Sequence, residues 1–190
     1  MFAFQKSSSS TNPKAQKLLS RISPTTNERF FGQDELIVSK TDPGGRITYA
    51  NDVFLRIAGM SESETIGAPH SVIRHPDMPR AVFKLLWDTL GTGKEIFAYV
   101  KNMSVNGDYY WVLAHVTPSY DSAGTLTGYH SNRRVPERSS VATISGLYKQ
   151  LLDIEKSAGN RKQGMKNAEQ ALFDILKEKG INYGQFVFSI

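Results

Sequence analysis

The stretch HSVIRHPDMP (His70 to Pro79) places an arginine, an imidazole and a carboxylate within four residues: Arg74, His75 and Asp77. An arginine offers paired N–H donors to phosphate or carboxylate, so the trio is a candidate ligand site. The competing reading is a structural knot, in which Asp77 holds both a helix start and a neighbouring cation. The histidines His70, His75, His115 and His130 raise haem or metal ligation, yet none has zinc spacing with another histidine or carboxylate. Gly91-Thr92-Gly93-Lys94 lacks what a P-loop needs: Glu95 follows the lysine, Asp88 stands where the first glycine belongs, and the segment follows a helix instead of opening one. The chain has no cysteine, which excludes disulfides, thiolate metal sites, thiol nucleophiles and cysteinyl-flavin photochemistry. No nucleophile motif, acid/base pair or dinucleotide glycine fingerprint is visible, so an enzyme is not expected.

The elements that must position these residues follow from local signals. Leu36-Ile37-Val38 and Arg46 to Ala50 read as strands around the turn Thr41 to Gly45. Asn51 is the expected N-cap of a helix carrying Val53, Phe54, Ile57 and Ala58 and ended by Gly59. Ser61 to Glu64 has capping-box chemistry for another short helix. After the two prolines, a longer helix capped by Asp77 runs to Gly91. Ile96 to Met103 and Tyr109 to Thr117 read as strands joined through Asn106-Gly107, and Leu126 to Asn132 is a third. Strands segregated from helices in this order imply an α+β domain with an antiparallel sheet.

Strand parity sorts the side chains. Ala98, Val100 and Asn102 share one face, as do Tyr110, Val112, Ala114 and Val116. If that set lines a pocket, Asn102 is either a ligand contact or a strand-end partner of the Asn-Gly turn. The opposite face then carries Phe97, Tyr99, Trp111 and Leu113. Such an apolar patch rarely stays wet, so it is expected to meet the N-terminal helix, a second copy of the chain or another partner.

TDPGGRITYANDVF, RHPDMPRAVFKLLWDTL, VKNMSVNGDYYWVLAHVTP and GYHSNRR, in that order, resemble the PAS domain of bacterial aerotaxis receptors over about residues 35–136. The resemblance implies a PAS fold: a five-stranded antiparallel sheet with small helices on one face. It implies a signal-sensing protein that binds FAD, reports redox or oxygen state and signals to chemotaxis partners. It places the flavin site at Asn51, Arg74, His75 and Asp77. Ile96 stands where the family carries a tryptophan of the flavin environment. Haem, another small ligand or no cofactor is the alternative.

The domain reading is 1–34 for a Ser-rich disordered start and a short helix from Asn12 to Ile22, 35–136 for the sensor, and 137–190 for a helical extension. The extension carries two amphipathic helices and an apolar tail, Phe186-Val187-Phe188. Net charge is +5, but the cations are scattered and read as an ordinary basic surface, with no nucleic-acid partner. No apolar run approaches the ~20 residues of a membrane span, and no secretory signal begins the chain. The expected setting is cytoplasmic, without membrane insertion. The expected partner is a second copy or a chemoreceptor, reached through the apolar sheet face or the terminal helices.

Overall fold

A computed structural model describes residues 22–190. The helix expected from Asn12 and the Ser-rich start therefore lie outside the described residues, Ile22 excepted. The strands are β1 (Ile37–Thr41), β2 (Ile47–Ala50), β3 (Ile96–Met103), β4 (Tyr109–Tyr120) and β5 (Leu126–Arg134). They form one antiparallel sheet in the order β2-β1-β5-β4-β3. With the helices between β2 and β3 this is the expected α+β PAS fold.

Between β2 and β3 run α1 (Asp52–Ala58), α2 (Glu62–Thr65), a 3-10 turn (His70–Ile73) and α3 (Arg80–Gly91). Local chemistry sets the first boundaries. Asn51 caps α1 by accepting from the Phe54 N–H, and Gly59 ends it in the left-handed region at φ 70°, where a Cβ is disfavoured. Ser61 and Glu64 close a reciprocal capping box on α2. Asp77, expected to cap α3, does not. Pro79 occupies the cap position without a side-chain bond, and the donor at Ala81 is met from far along the chain.

Beyond β5 come α4 (Arg138–Ser157), α5 (Arg161–Glu178) and α6 (Tyr183–Ser189). They share one continuous apolar core with the sheet: Ile144, Leu151, Leu172 and Val187 are all almost fully buried. The expected apolar tail is thus a docked helix, fixed by a capping box between Asn182 and Gln185. α4 and α6 close the open edge at β3. Tyr148 Oη donates to the Tyr99 carbonyl at 2.7 Å and Tyr99 Oη to the Val187 carbonyl at 3.3 Å. The Lys101 N–H meets Met78 Sδ at 3.2 Å. An edge strand closed in this way no longer offers a free backbone ladder.

Before β1, the backbone near Thr25 to Arg29 pairs with the start of β4; the Arg29 N–H reaches the Tyr109 carbonyl at 2.7 Å. Among the described residues no helix is long and apolar enough to cross a membrane.

Candidate functional site

Between the sheet and α3 lies a cavity of about 370 Å³, a size suited to a small molecule. Register explains its lining. Ser131 on β5 stands beside Ser39 and Val116, and Arg133 stands beside Ala114. These side chains share the inner face with Val100 and Asn102 of β3, so the sheet side is small and apolar in the middle and polar at both ends. Phe83, Leu86 and Trp87 of α3 form the opposite wall, and α5 contributes Met165. The shape is a slot, apolar on its two broad sides, with Arg74, Arg80 and Lys84 also lining it.

The polar ends carry groups without partners. Arg133 is 3% exposed, Asn102 3% and Ser131 7%. Arg133 Nη2 donates to Ser39 Oγ at 2.8 Å and to His70 Nε2 at 2.5 Å. Arg133 Nη1, Asn102 Nδ2, Ser131 Oγ and Thr41 Oγ1 are buried without a hydrogen-bond partner. Each such group costs about 1–3 kcal/mol, more when charged. All four belong to residues that line the slot, which makes it the candidate for a site that hydrogen-bonds a ligand.

Burial, with Arg133 alongside, pushes the His70 imidazole down to about 3, from 6.5. Burial, with Lys101 nearby, pushes His75 down to about 4, against the opposing pull of Asp77. Both rings are therefore neutral in the folded chain at neutral pH. Since the unfolded chain takes up these protons near pH 6.5, the contribution is fully present above that pH. It is lost as pH falls toward 4 for His75 and 3 for His70. We expect the urea midpoint to drop over that window, and His70→Gln to remove about one proton from the slope. An unchanged slope in the variant would contradict the assignment.

The candidate residues separate into two groups. Arg74 and Asn102 line the cavity. Arg74 lies over the Phe83 ring at 4.2 Å, and its Nη2 donates to the Met78 carbonyl at 3.0 Å. Asn51 is spent elsewhere: its Oδ1 accepts from Val38 and Phe54, and its Nδ2 donates to the Leu36 carbonyl. His75 and Asp77 lie outside the lining, and half of the structural-knot reading holds: Asp77 takes a neighbouring cation but caps no helix. His75 Nδ1 accepts from the Asp77 N–H, while the Asp77 carboxylate pairs with Lys101 at 2.9 Å. The His75 ring packs edge-on against Tyr109, and Lys101 lies over the same ring. Ile96 is buried on the inner face opposite Val116, outside the lining.

The apolar outer face is also reassigned. Tyr99 and Trp111 are buried beneath α4 and α6, and Trp111 stacks near Tyr148. Phe97 stacks on His115 at 4.1 Å and meets the edge of Phe188. Leu113 is half-buried against the same core. The cover is thus the chain's own C-terminal helices, whose apolar stripes had no other place to go.

Sequence reasoning missed Arg133, Ser131, Thr41 and Ser39. Their signal was present as parity: Tyr129, Ser131 and Arg133 alternate along β5 and all line the slot. A polar alternate set on a central strand points inward at something polar.

Residues 47–132 match the family model described as PAS fold. The aerotaxis receptor of Escherichia coli (strain K12) is 41% identical over 121 residues, covering 64% of this chain and 24% of the receptor. The biofilm dispersion protein BdlA of Pseudomonas aeruginosa is 29% identical over 86 residues, covering 45% of this chain and 21% of that protein. The chain therefore spans about a quarter or less of these relatives' length. Among solved structures, a light-oxygen-voltage domain studied with a flavin analogue superposes with a TM-score of 0.51 at 20% identity. It covers 60% of this chain and 87% of its own. The light state of the Aureochrome1 LOV photoreceptor gives 0.50 at 22% identity, covering 65% and 94%. At that identity the likeness is one of fold.

Proposed function

We propose that the PAS fold of this chain, matched by the PAS family model over residues 47–132 and similar to the aerotaxis receptor of Escherichia coli, senses redox or oxygen state through a flavin, FAD, held in the slot between the sheet and α3. The observation that carries this reading is the slot's pattern: flat apolar walls and unpartnered buried donors at the ends. A flavin ring is flat and apolar on its faces, and its rim is rich in acceptors.

Asn102 Nδ2 and Arg133 Nη1 would serve the ring's rim, with Val100, Ala114 and Val116 against one face and Phe83, Leu86 and Trp87 against the other. The cations Arg74, Arg80 and Lys84 would serve the diphosphate. When bound, the flavin supplies a reversible change of charge and hydrogen bonding with oxidation state. The chain's own part is to hold the ring dry and to pass that change on. Flavin is favoured over haem because the one cavity-lining histidine, His70, directs Nε2 to Arg133 and Ser39 instead of leaving it free as an axial ligand.

The signal would leave through α4 to α6, which touch both sides of the sensor. Met165 lines the slot and Tyr148 holds the outer face. Those helices would present the change to a chemoreceptor-type partner or a second copy of the chain.

The test is equilibrium titration with FAD, followed by flavin fluorescence. Saturable one-to-one quenching is expected, and Asn102→Leu should weaken it about tenfold, as loss of a buried hydrogen bond does. Binding that neither saturates nor responds to Asn102→Leu would contradict the site.

A further inference from the structure

Arg133 differs from the other cations at the slot by its burial: Arg74 also makes no salt bridge among the described residues, but it is only partly buried and donates to the Met78 carbonyl. Lys84 pairs with Asp88 and Glu169, and Arg80 with Glu155. Arg133 is buried and, among the described residues, makes no salt bridge. The neighbours of another kind that favour its charge are the Phe54 ring, 5.6 Å from the guanidinium, and Tyr110. Ser39 and neutral His70 take up Nη2, fixing the plane of the group and leaving Nη1 without a partner. Burial pulls the guanidinium down only to about 10, so it stays charged at neutral pH. A buried cation with no carboxylate is expensive unless a ligand brings the counter-charge.

We propose that Arg133 is the charge-selecting residue of the slot: its free Nη1–H donates to the N1–C2=O edge of the bound flavin, so that the chain binds the reduced anionic ring more tightly than the oxidised ring. The inference rests on the flavin reading above. An external reductant, dithionite in the test, gives the ring two electrons, and water gives N5 one proton. The N1–C2=O edge is then left with one negative charge, which Arg133 neutralises. Ser39 and His70 act as positioning residues for the guanidinium.

A charge-assisted bond gained only in the reduced state corresponds to about tenfold tighter binding or more. For a two-electron couple, tenfold is about 30 mV. The experiment is a reductive titration of the full chain loaded with FAD, against reference dyes, for wild type, Arg133→Gln and Arg133→Lys. The wild-type potential is expected to lie about 30 mV or more above that of free FAD. Arg133→Gln is expected to forfeit most of that rise, and Arg133→Lys to retain part of it.

A wild-type potential at or below that of free FAD would overturn the inference, even if neither variant folds. So would an unchanged potential in a folded Arg133→Gln. Either result leaves the flavin reading standing, whereas a wild type that takes up no FAD removes both.

Discussion

Gly128→Ala is expected to be among the most damaging single substitutions in the sensor, with a loss of about 3–5 kcal/mol. Gly128 sits inside β5 at φ 152°, and a Cβ there would lie 1.8 Å from the Thr41 carbonyl oxygen and 3.0 Å from its carbon. Those atoms are backbone and cannot swing aside. β1 and β5 would have to part next to the Thr41–Tyr129 pair. Both of these residues line the slot, so the damage reaches the site as well as the sheet. A glycine inside a strand often marks such a close approach of another backbone. Urea unfolding followed by circular dichroism would show the loss as a shifted midpoint. A midpoint equal to wild type would mean that β1 and β5 do not meet in this register.

The second large effect belongs to Glu155. It is 6% exposed at the end of α4, yet it serves the start of α3. Its Oε1 accepts from the Ala81 N–H at 2.9 Å, and its Oε2 from Arg80 Nε at 3.1 Å. An N-terminal turn leaves backbone donors unmet, and Pro79 has no side chain to meet them. Glu155 is therefore the cap of α3, supplied from 74 residues away.

Glu155→Ala is expected to cost about 2–4 kcal/mol, because a buried donor and a cation lose their charged acceptor together. The exposed neighbour Asp153→Ala should stay within about 0.5 kcal/mol. Since Arg80 and Phe83 lie on the slot wall that Glu155 holds, the variant should also release bound flavin faster. Equal midpoints for the two variants would show that α4 does not anchor α3. The same joint is tight from the other side: a Cβ at Gly164 would lie 2.2 Å from the Glu155 carbonyl oxygen.

Much of this fold was legible because its signals are local. The Asn-Gly turn, the Ser61–Glu64 box and the Gly59 stop each depend on residues a few positions apart. The parity of Ala98, Val100 and Asn102 correctly marked the pocket face of β3, and two of those three line the slot. The failures are contacts between distant residues. Asp77 looked like the α3 cap by proximity, but Glu155 holds that role and Asp77 is drawn to Lys101. Asn51 looked available, but it ties β1 to α1 with every polar atom it has.

The Phe97–Trp111 face looked bare because α4 and α6 lie far along the chain; only the folded chain brings Tyr148 and Val187 over it. One miss was avoidable. Asn182 and Gln185 stand three apart before Phe186 and Val187, a helix-start pattern readable in advance. Arg133 read as one scattered cation among many. Its meaning depends on burial without a carboxylate, which sequence alone does not report.

The central claim is that this PAS domain reads redox state through a flavin. It is tested most directly by incubating the full chain with FAD, removing unbound ligand, and recording the absorption spectrum before and after dithionite. The account predicts that the yellow band of oxidised flavin stays with the protein, bleaches on reduction and returns in air. A protein that elutes colourless after this treatment would contradict it, as would one whose native colour is a haem Soret band.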